Sequence, residues 1–107
     1  MHVSRLIFAA TAATLAAQAV HAQEIGDRQK GRALARQVCA ECHAVGRRTL
    51  RSTNPQSPSF VSIAATPGMT ATALNVFLHT SHRNMPNLIL NAEQTADITA
   101  YILSLKK

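Results

Sequence analysis

Apolar residues recur along this chain with the spacing of helices rather than of strands. The first such stretch lies within residues 26–39, and its small or apolar positions are Gly31, Leu34, Ala35 and Val38. Near the end of the chain the same spacing returns at Ile98, Tyr101, Ile102 and Leu105. Repeats at i, i+3, i+4 and i+7 place side chains on one face of an amphipathic helix. The pattern therefore predicts a first and a last helix in an all-α chain, because no segment alternates convincingly as a strand does.

Two shorter helical segments are predicted between these two. Residues 59–65 can form a short helical turn, and a third helix follows with one face made by Leu74, Phe77, Leu78 and Ser81. Polar residues that favour helix N-termini precede three of the segments, namely Asp27, Thr70 and Asn91. Gln94 stands three positions after Asn91, which is the spacing of a capping box. Periodicity is lost in the two predicted loops, residues 44–58 and 82–91.

The first residues have the features of a secretory signal peptide. Arg5 is the only charged residue ahead of an apolar run over residues 6–17, and small residues stand at positions −3 and −1 of a cleavage after Ala22. The apolar run is well short of the roughly 20 residues that a membrane span needs. We therefore expect residues 1–22 to be removed on export to the periplasm, leaving residues 23–107 as one domain with no membrane span.

The composition indicates that the side chains of this domain form only a small hydrophobic core. The chain has 107 residues, no Trp, one Tyr and three Phe, and a formal net charge of +6 from 11 Lys and Arg against 5 Asp and Glu. A chain of this length makes one small domain and buries little apolar surface by itself. A disulfide, a metal or a large cofactor is expected to supplement the core.

Both cysteines lie in one short motif, Cys39-Ala40-Glu41-Cys42-His43. This C-x-x-C-H pattern is the signature of covalent c-type haem attachment. Two thiols about one helical turn apart can each bond to a vinyl group of the porphyrin, and the adjacent His43 can present a ring nitrogen to the iron. A thioredoxin-like pair needs a βαβ context, a zinc ribbon needs a second Cys/His pair, and a structural disulfide leaves His43 unexplained.

A second axial ligand has four candidates in the sequence: Met69, His79, His82 and Met85. Met85 stands in a predicted loop between two helices and is followed by Pro86, which stiffens the backbone and can hold a thioether in place. Met69 can simply fill a gap in the core. His79 lies on the third helix, where a lone histidine suits an exposed or hydrogen-bonded position. His82 can contact a haem propionate or face water, and we expect it to face water.

Taken together, these motifs resemble the class I c-type cytochromes. The resemblance is carried by Gly26-Asp27 and Gly31, then C-A-E-C-H, then Met85-Pro86, and then the helical pattern that ends in Tyr101 and Leu105. It implies about four helices around one covalently bound haem c, with thioethers from Cys39 and Cys42. It also implies His43 as the proximal ligand and Met85 as the distal ligand, both bound to the iron.

The resemblance implies two further contacts. Gly31, which has no side chain, would allow a close approach of the first and last helices against Tyr101. The carbonyl of a proline in the loop after the motif would accept the second ring proton of His43, and both Pro55 and Pro58 are candidates.

By the same resemblance the protein is expected to be a periplasmic one-electron carrier and not an enzyme. Its donor would be a dehydrogenase and its acceptor an oxidase or another cytochrome. Two alternatives are a dedicated cytochrome subunit of a periplasmic dehydrogenase, for example of the sulfite dehydrogenase type, and a haem-based ligand sensor. Two interpretations fit the basic side chains Arg28, Arg32, Arg36, Arg47, Arg48 and Arg51: docking to the acidic face of a partner, or a plain solvated surface. Nucleic acid is an unsuitable partner for an exported chain without an aromatic platform.

Overall fold

The computed structural model describes residues 26–80, 82 and 84–107, so the expected signal peptide lies outside the described residues. The described part contains four α-helices: α1 Arg28–Val38, α2 Phe60–Ala65, α3 Ala71–Leu78 and α4 Ala92–Ser104. A short 3₁₀ helix, Cys39–Glu41, continues directly from α1. No strand occurs among these residues, and the prediction of an all-α fold is confirmed.

The helices begin where polar cap residues accept otherwise unpaired backbone N–H groups. The Asp27 carboxylate accepts from the N–H groups of Gln29 and Lys30 at 2.8 and 3.1 Å. These hydrogen bonds hold the pKa of Asp27 below its ordinary value. Asn91 and Gln94 form the expected capping box at the start of α4. Ser59 and Thr70 cap α2 and α3 in the same way, so the predicted caps Asp27, Thr70 and Asn91 are confirmed and Ser59 is a further one.

The first and last helices pack closely because Gly31 lacks a side chain. A Cβ atom at this position would lie 1.9 Å from the backbone oxygen of Asp97 and 2.9 Å from the Cβ of Tyr101. The expected close approach of α1 and α4 at Gly31 is therefore confirmed. A hydrogen bond of 2.6 Å from the Asp27 N–H to the Asp97 carboxylate joins the same two helices.

The core is centred on α4, which packs against α1, α2 and α3. Ile98 and Ile102 of α4 are fully buried. The ring of Tyr101 lies 6.2 Å from that of Phe60, centroid to centroid, in a tilted arrangement. The other buried apolar residues of this cluster are Ala35, Cys39, Val45, Ala64, Leu74 and Leu105. Most of these side chains are small or aliphatic, as the composition indicated.

The third helix differs from its prediction at its C-terminal end. It stops at Leu78, three residues before Ser81, which lies outside the described residues. Leu74 is the one buried side chain of α3, and Phe77 remains 51% exposed and stacks on His82. Across the described residues, no helix has the length and apolar character that crossing a membrane requires.

Candidate functional site

The Cys39–His43 motif folds into a single tight turn. The N–H groups of Cys42 and His43 both donate to the carbonyl of Cys39, at 3.2 and 2.9 Å. This geometry is set by α1, whose last turn runs straight into the 3₁₀ helix that contains Cys39. The turn keeps both thiols and the imidazole close along the chain. Cys39 and Cys42 carry free thiols, the first buried and the second half-buried.

Burial raises the pKa of the Cys39 thiol to about 11. Burial therefore makes this thiol harder to ionise, whereas thiol–disulfide exchange uses the thiolate. Cys39 is also a member of the apolar core cluster. This apolar setting suits a sulfur bonded to an apolar group better than it suits a redox-active thiol.

The ring of His43 is oriented by the loop that follows the motif. Its Nδ1 donates to the carbonyl of Pro58 at 2.6 Å. Because a carbonyl only accepts, the proton is on Nδ1 and the lone pair is on Nε2. Of the two prolines that the sequence offers for this role, Pro58 is therefore the one that accepts. The ring also contacts Phe60, with 5.6 Å between centroids.

Backbone hydrogen bonds tie this loop to the motif and to α4. The Asn54 N–H donates to the Cys42 carbonyl at 3.1 Å, and the Phe60 N–H donates to the Ala44 carbonyl at 2.8 Å. The buried hydroxyl of Tyr101 in α4 donates to the Val45 carbonyl at 2.5 Å. Pro58 is thereby held in position although residues 44–58 contain no helix or strand.

Met85 lies in a tight turn between α3 and α4. The turn is closed by a hydrogen bond of 3.1 Å from the Met85 N–H to the His82 carbonyl. Met85 itself is half-buried, and Asn84 just before it has a φ of +65°. The Asn84 side chain donates to the side-chain oxygen of Gln56 at 2.9 Å. This contact connects the Met85 turn with the loop that orients His43.

The other three ligand candidates have different surroundings. Met69 is half-buried and packs against the helical core, as a gap-filling methionine does. His79 ends α3, and its Nδ1 donates to the Asn75 carbonyl at 2.8 Å. His82 does not face water as expected: its ring is half-buried on Phe77, and its Nδ1 is buried without a hydrogen-bond partner among the described residues.

Comparison with known proteins decides the family. The family model for cytochrome c matches residues 28–106, which is most of the chain. The chain belongs to the cytochrome c family. Neither a curated protein nor a solved structure gives a match. Cytochromes c bind covalently attached haem c, so this protein is a haem-based electron carrier.

The residues present fit the cofactor of a cytochrome c. Two free thiols and a histidine with its lone pair on Nε2 are the donor set that covalent haem attachment and iron ligation need. The sequence does not predict two contacts of the site. The Asn84 side chain joins its turn to Gln56, and the Tyr101 hydroxyl joins α4 to Val45. Their partners are 28 or 56 residues away along the chain, and no local pattern signals such contacts.

Proposed function

We propose that this cytochrome c is a periplasmic one-electron carrier in which Cys39 and Cys42 bond one haem and His43 and Met85 ligate its iron. The observation that carries the proposal is the 2.6 Å hydrogen bond from His43 Nδ1 to the Pro58 carbonyl. It fixes the tautomer whose Nε2 can bind a metal. A backbone acceptor on the second ring nitrogen also fixes the orientation of a metal-bound histidine.

The placement of Cys39 supports covalent attachment. Its side chain belongs to the core cluster together with Phe60 and Tyr101. A bulky apolar group bonded there would extend a core that few aromatic side chains fill. Covalent bonds also retain such a group in a domain too small to enclose it by packing alone.

The surroundings of Met85 favour it over Met69 as the second ligand. Met85 lies in a turn whose hydrogen bonds reach the loop that holds His43, by way of Asn84. Met69 follows α2, where its N–H donates to Thr66 and its side chain packs against the helices. The hydrogen bond from Asn84 to Gln56 thus joins the Met85 turn to the loop that orients His43, and this connection supports Met85 as the residue that would bind the iron together with His43.

With His43 and Met85 both bound to the iron, no coordination position would be open to a substrate, so we propose electron transfer rather than an enzymatic reaction. When bound, the haem supplies one-electron chemistry through its ferrous and ferric states. The chain contributes the two ligands and the fixed orientation of His43. A methionine ligand raises the reduction potential relative to a second histidine. A dehydrogenase is therefore a suitable donor, and an oxidase or another cytochrome a suitable acceptor.

The charge distribution supports an acidic docking partner. Arg28, Arg32 and Arg36 are exposed along α1, and none of them pairs with a carboxylate within the described part of the chain. Arg47 instead donates to the carbonyl of Ser104 at the end of α4, and this hydrogen bond links the loop after the motif to that helix. Unpaired exposed cations steer an acidic partner toward encounter. Export to the periplasm is proposed from the signal-like residues 1–22.

Replacement of each methionine tests the ligation. The ferric wild type should show the weak near-infrared band of methionine-ligated haem, and the reduced protein should resist carbon monoxide at neutral pH. Met85→Ala should abolish the band, admit carbon monoxide and lower the reduction potential. Met69→Ala is the matched control and should keep the band while losing some stability. If Met69→Ala removes the band, or if the wild type binds carbon monoxide readily, the ligand assignment is wrong and a sensor function is favoured.

A further inference from the structure

The turn that presents Met85 contains a strained residue that reaches across to another loop. Asn84 is the one non-glycine residue with a positive φ among the described residues. The left-handed region disfavours side chains with a Cβ atom, and asparagine adopts it more readily than most. Such strain persists only where other contacts maintain it. The contact that Asn84 makes is its 2.9 Å hydrogen bond to Gln56.

Gln56 belongs to a compact turn that is bonded to the haem-attachment motif. Its N–H donates to the side-chain oxygen of Asn54 at 3.0 Å, and the Ser57 N–H donates to the Asn54 carbonyl at the same distance. The Asn54 N–H in turn donates to the carbonyl of Cys42. Pro58, which accepts from His43, follows two residues after Gln56.

A series of hydrogen bonds therefore links the two segments that carry the proposed ligands His43 and Met85. It runs from the Cys42 carbonyl through Asn54 and Gln56 to the Asn84 side chain, and Met85 is the next residue. The side chains of Gln56 and Asn84 form its one link between sequence segments 28 residues apart.

We propose that the Asn84–Gln56 hydrogen bond is a clasp that positions Met85 on the iron. The proposal rests on the ligation by Met85 that is proposed above. Both residues are positioning residues, since they act through the turn rather than on the iron. The clasp opposes the outward movement of the turn that release of the thioether requires. Its loss should therefore raise the rate at which Met85 leaves the iron.

The test measures ligand exchange in the ferric holoprotein. At saturating imidazole, the rate at which the near-infrared band disappears reports the departure of Met85. Gln56→Ala should raise this limiting rate about fivefold, the effect expected when one ordinary hydrogen bond is lost. Asn84→Gly, which removes the side chain without penalty for the positive φ, should raise it similarly. The double variant should exchange no faster than either single variant, because both remove the same contact.

Two control variants separate the clasp from general destabilisation. Gln56→Glu keeps an acceptor for the Asn84 amide and should exchange at the wild-type rate. Gln37→Ala removes an exposed amide on α1, away from the two loops in sequence, and should also leave the rate unchanged. Acceleration by Gln37→Ala, or equal acceleration by Gln56→Glu and Gln56→Ala, would overturn the clasp.

The wild-type spectrum distinguishes failure of the clasp from failure of the proposed function. A ferric wild type with the near-infrared band but no acceleration in Gln56→Ala overturns the clasp alone. Acceleration in Asn84→Gly without acceleration in Gln56→Ala also overturns it, since the backbone of Asn84 would then account for the effect. A wild type without the band overturns the ligation by Met85 and the clasp together.

Discussion

At the scale of single residues, Gly31 shows how one missing side chain sets the packing of two helices. The space that a methyl group would need at this position is taken by the backbone of Asp97 and the Cβ of Tyr101. Backbone atoms cannot rotate away as the end of a long side chain can. Any substitution at Gly31 must therefore push α1 away from α4.

We predict that Gly31→Ala lowers the free energy of unfolding of the holoprotein by about 2–3 kcal/mol, the cost of overpacking a close contact. Denaturant unfolding followed by haem absorbance measures the change. Gly46→Ala is the matched control, because its new methyl group would meet nothing nearer than Thr49 Oγ1 at 3.6 Å. The control should stay within about 0.5 kcal/mol of wild type. Equal effects of the two substitutions would show that Gly31 is not a close-packing position.

At the scale of elements, the start of α4 depends on a reciprocal pair of hydrogen bonds. The Gln94 N–H donates to the Asn91 side chain at 2.8 Å, and the Asn91 N–H donates to the Gln94 side chain at 3.0 Å. Since α1, α2 and α3 all pack against α4, fraying of its first turn affects the whole domain.

We predict that Asn91→Ala destabilises the holoprotein by about 1 kcal/mol, the usual cost of losing an N-cap. Denaturant unfolding is again the measurement. The same substitution at Asn75, an exposed interior position of α3, should be neutral or slightly stabilising because alanine is the better helix former. A stability loss at Asn75 that matches the loss at Asn91 would contradict a capping effect.

The elements also show what sequence can predict and where prediction stops. Cap residues such as Thr70 and Asn91 act on backbone groups two or three positions away, so a local pattern identifies them. The end of α3 was predicted too late, because the helical spacing continues to Ser81 while the chain already turns at His79. The helix contact at Gly31 was predicted through the family resemblance, which carries long-range information that spacing alone lacks.

The site divides in the same way between local and long-range features. The motif from Cys39 to His43 is a local pattern, and the sequence contains it whole. The choice of Pro58 over Pro55 depends on how the loop folds back on His43, so the structure was needed. The pairing of Asn84 with Gln56 joins two loops without helix or strand periodicity, and nothing in either loop identifies the other.

At the scale of the whole molecule, the described helices form a small domain that holds the residues proposed to bind haem. Its described core has few aromatic side chains, and Cys39 of the attachment motif is part of that core. Members of the cytochrome c family bind covalently attached haem c, and this large apolar group would extend such a core. The exposed arginines of α1 give the domain a basic surface, and the proposed acidic redox partner would dock there.

The most direct test of this account is the intact mass of the protein purified from its native host, measured after extraction with acidified acetone. We predict the mass of residues 23–107 plus one haem, because thioether bonds to Cys39 and Cys42 survive the extraction. Cys39→Ala or Cys42→Ala should weaken this retention. A wild-type chain without added mass, with the haem recovered in the organic layer, would contradict the account.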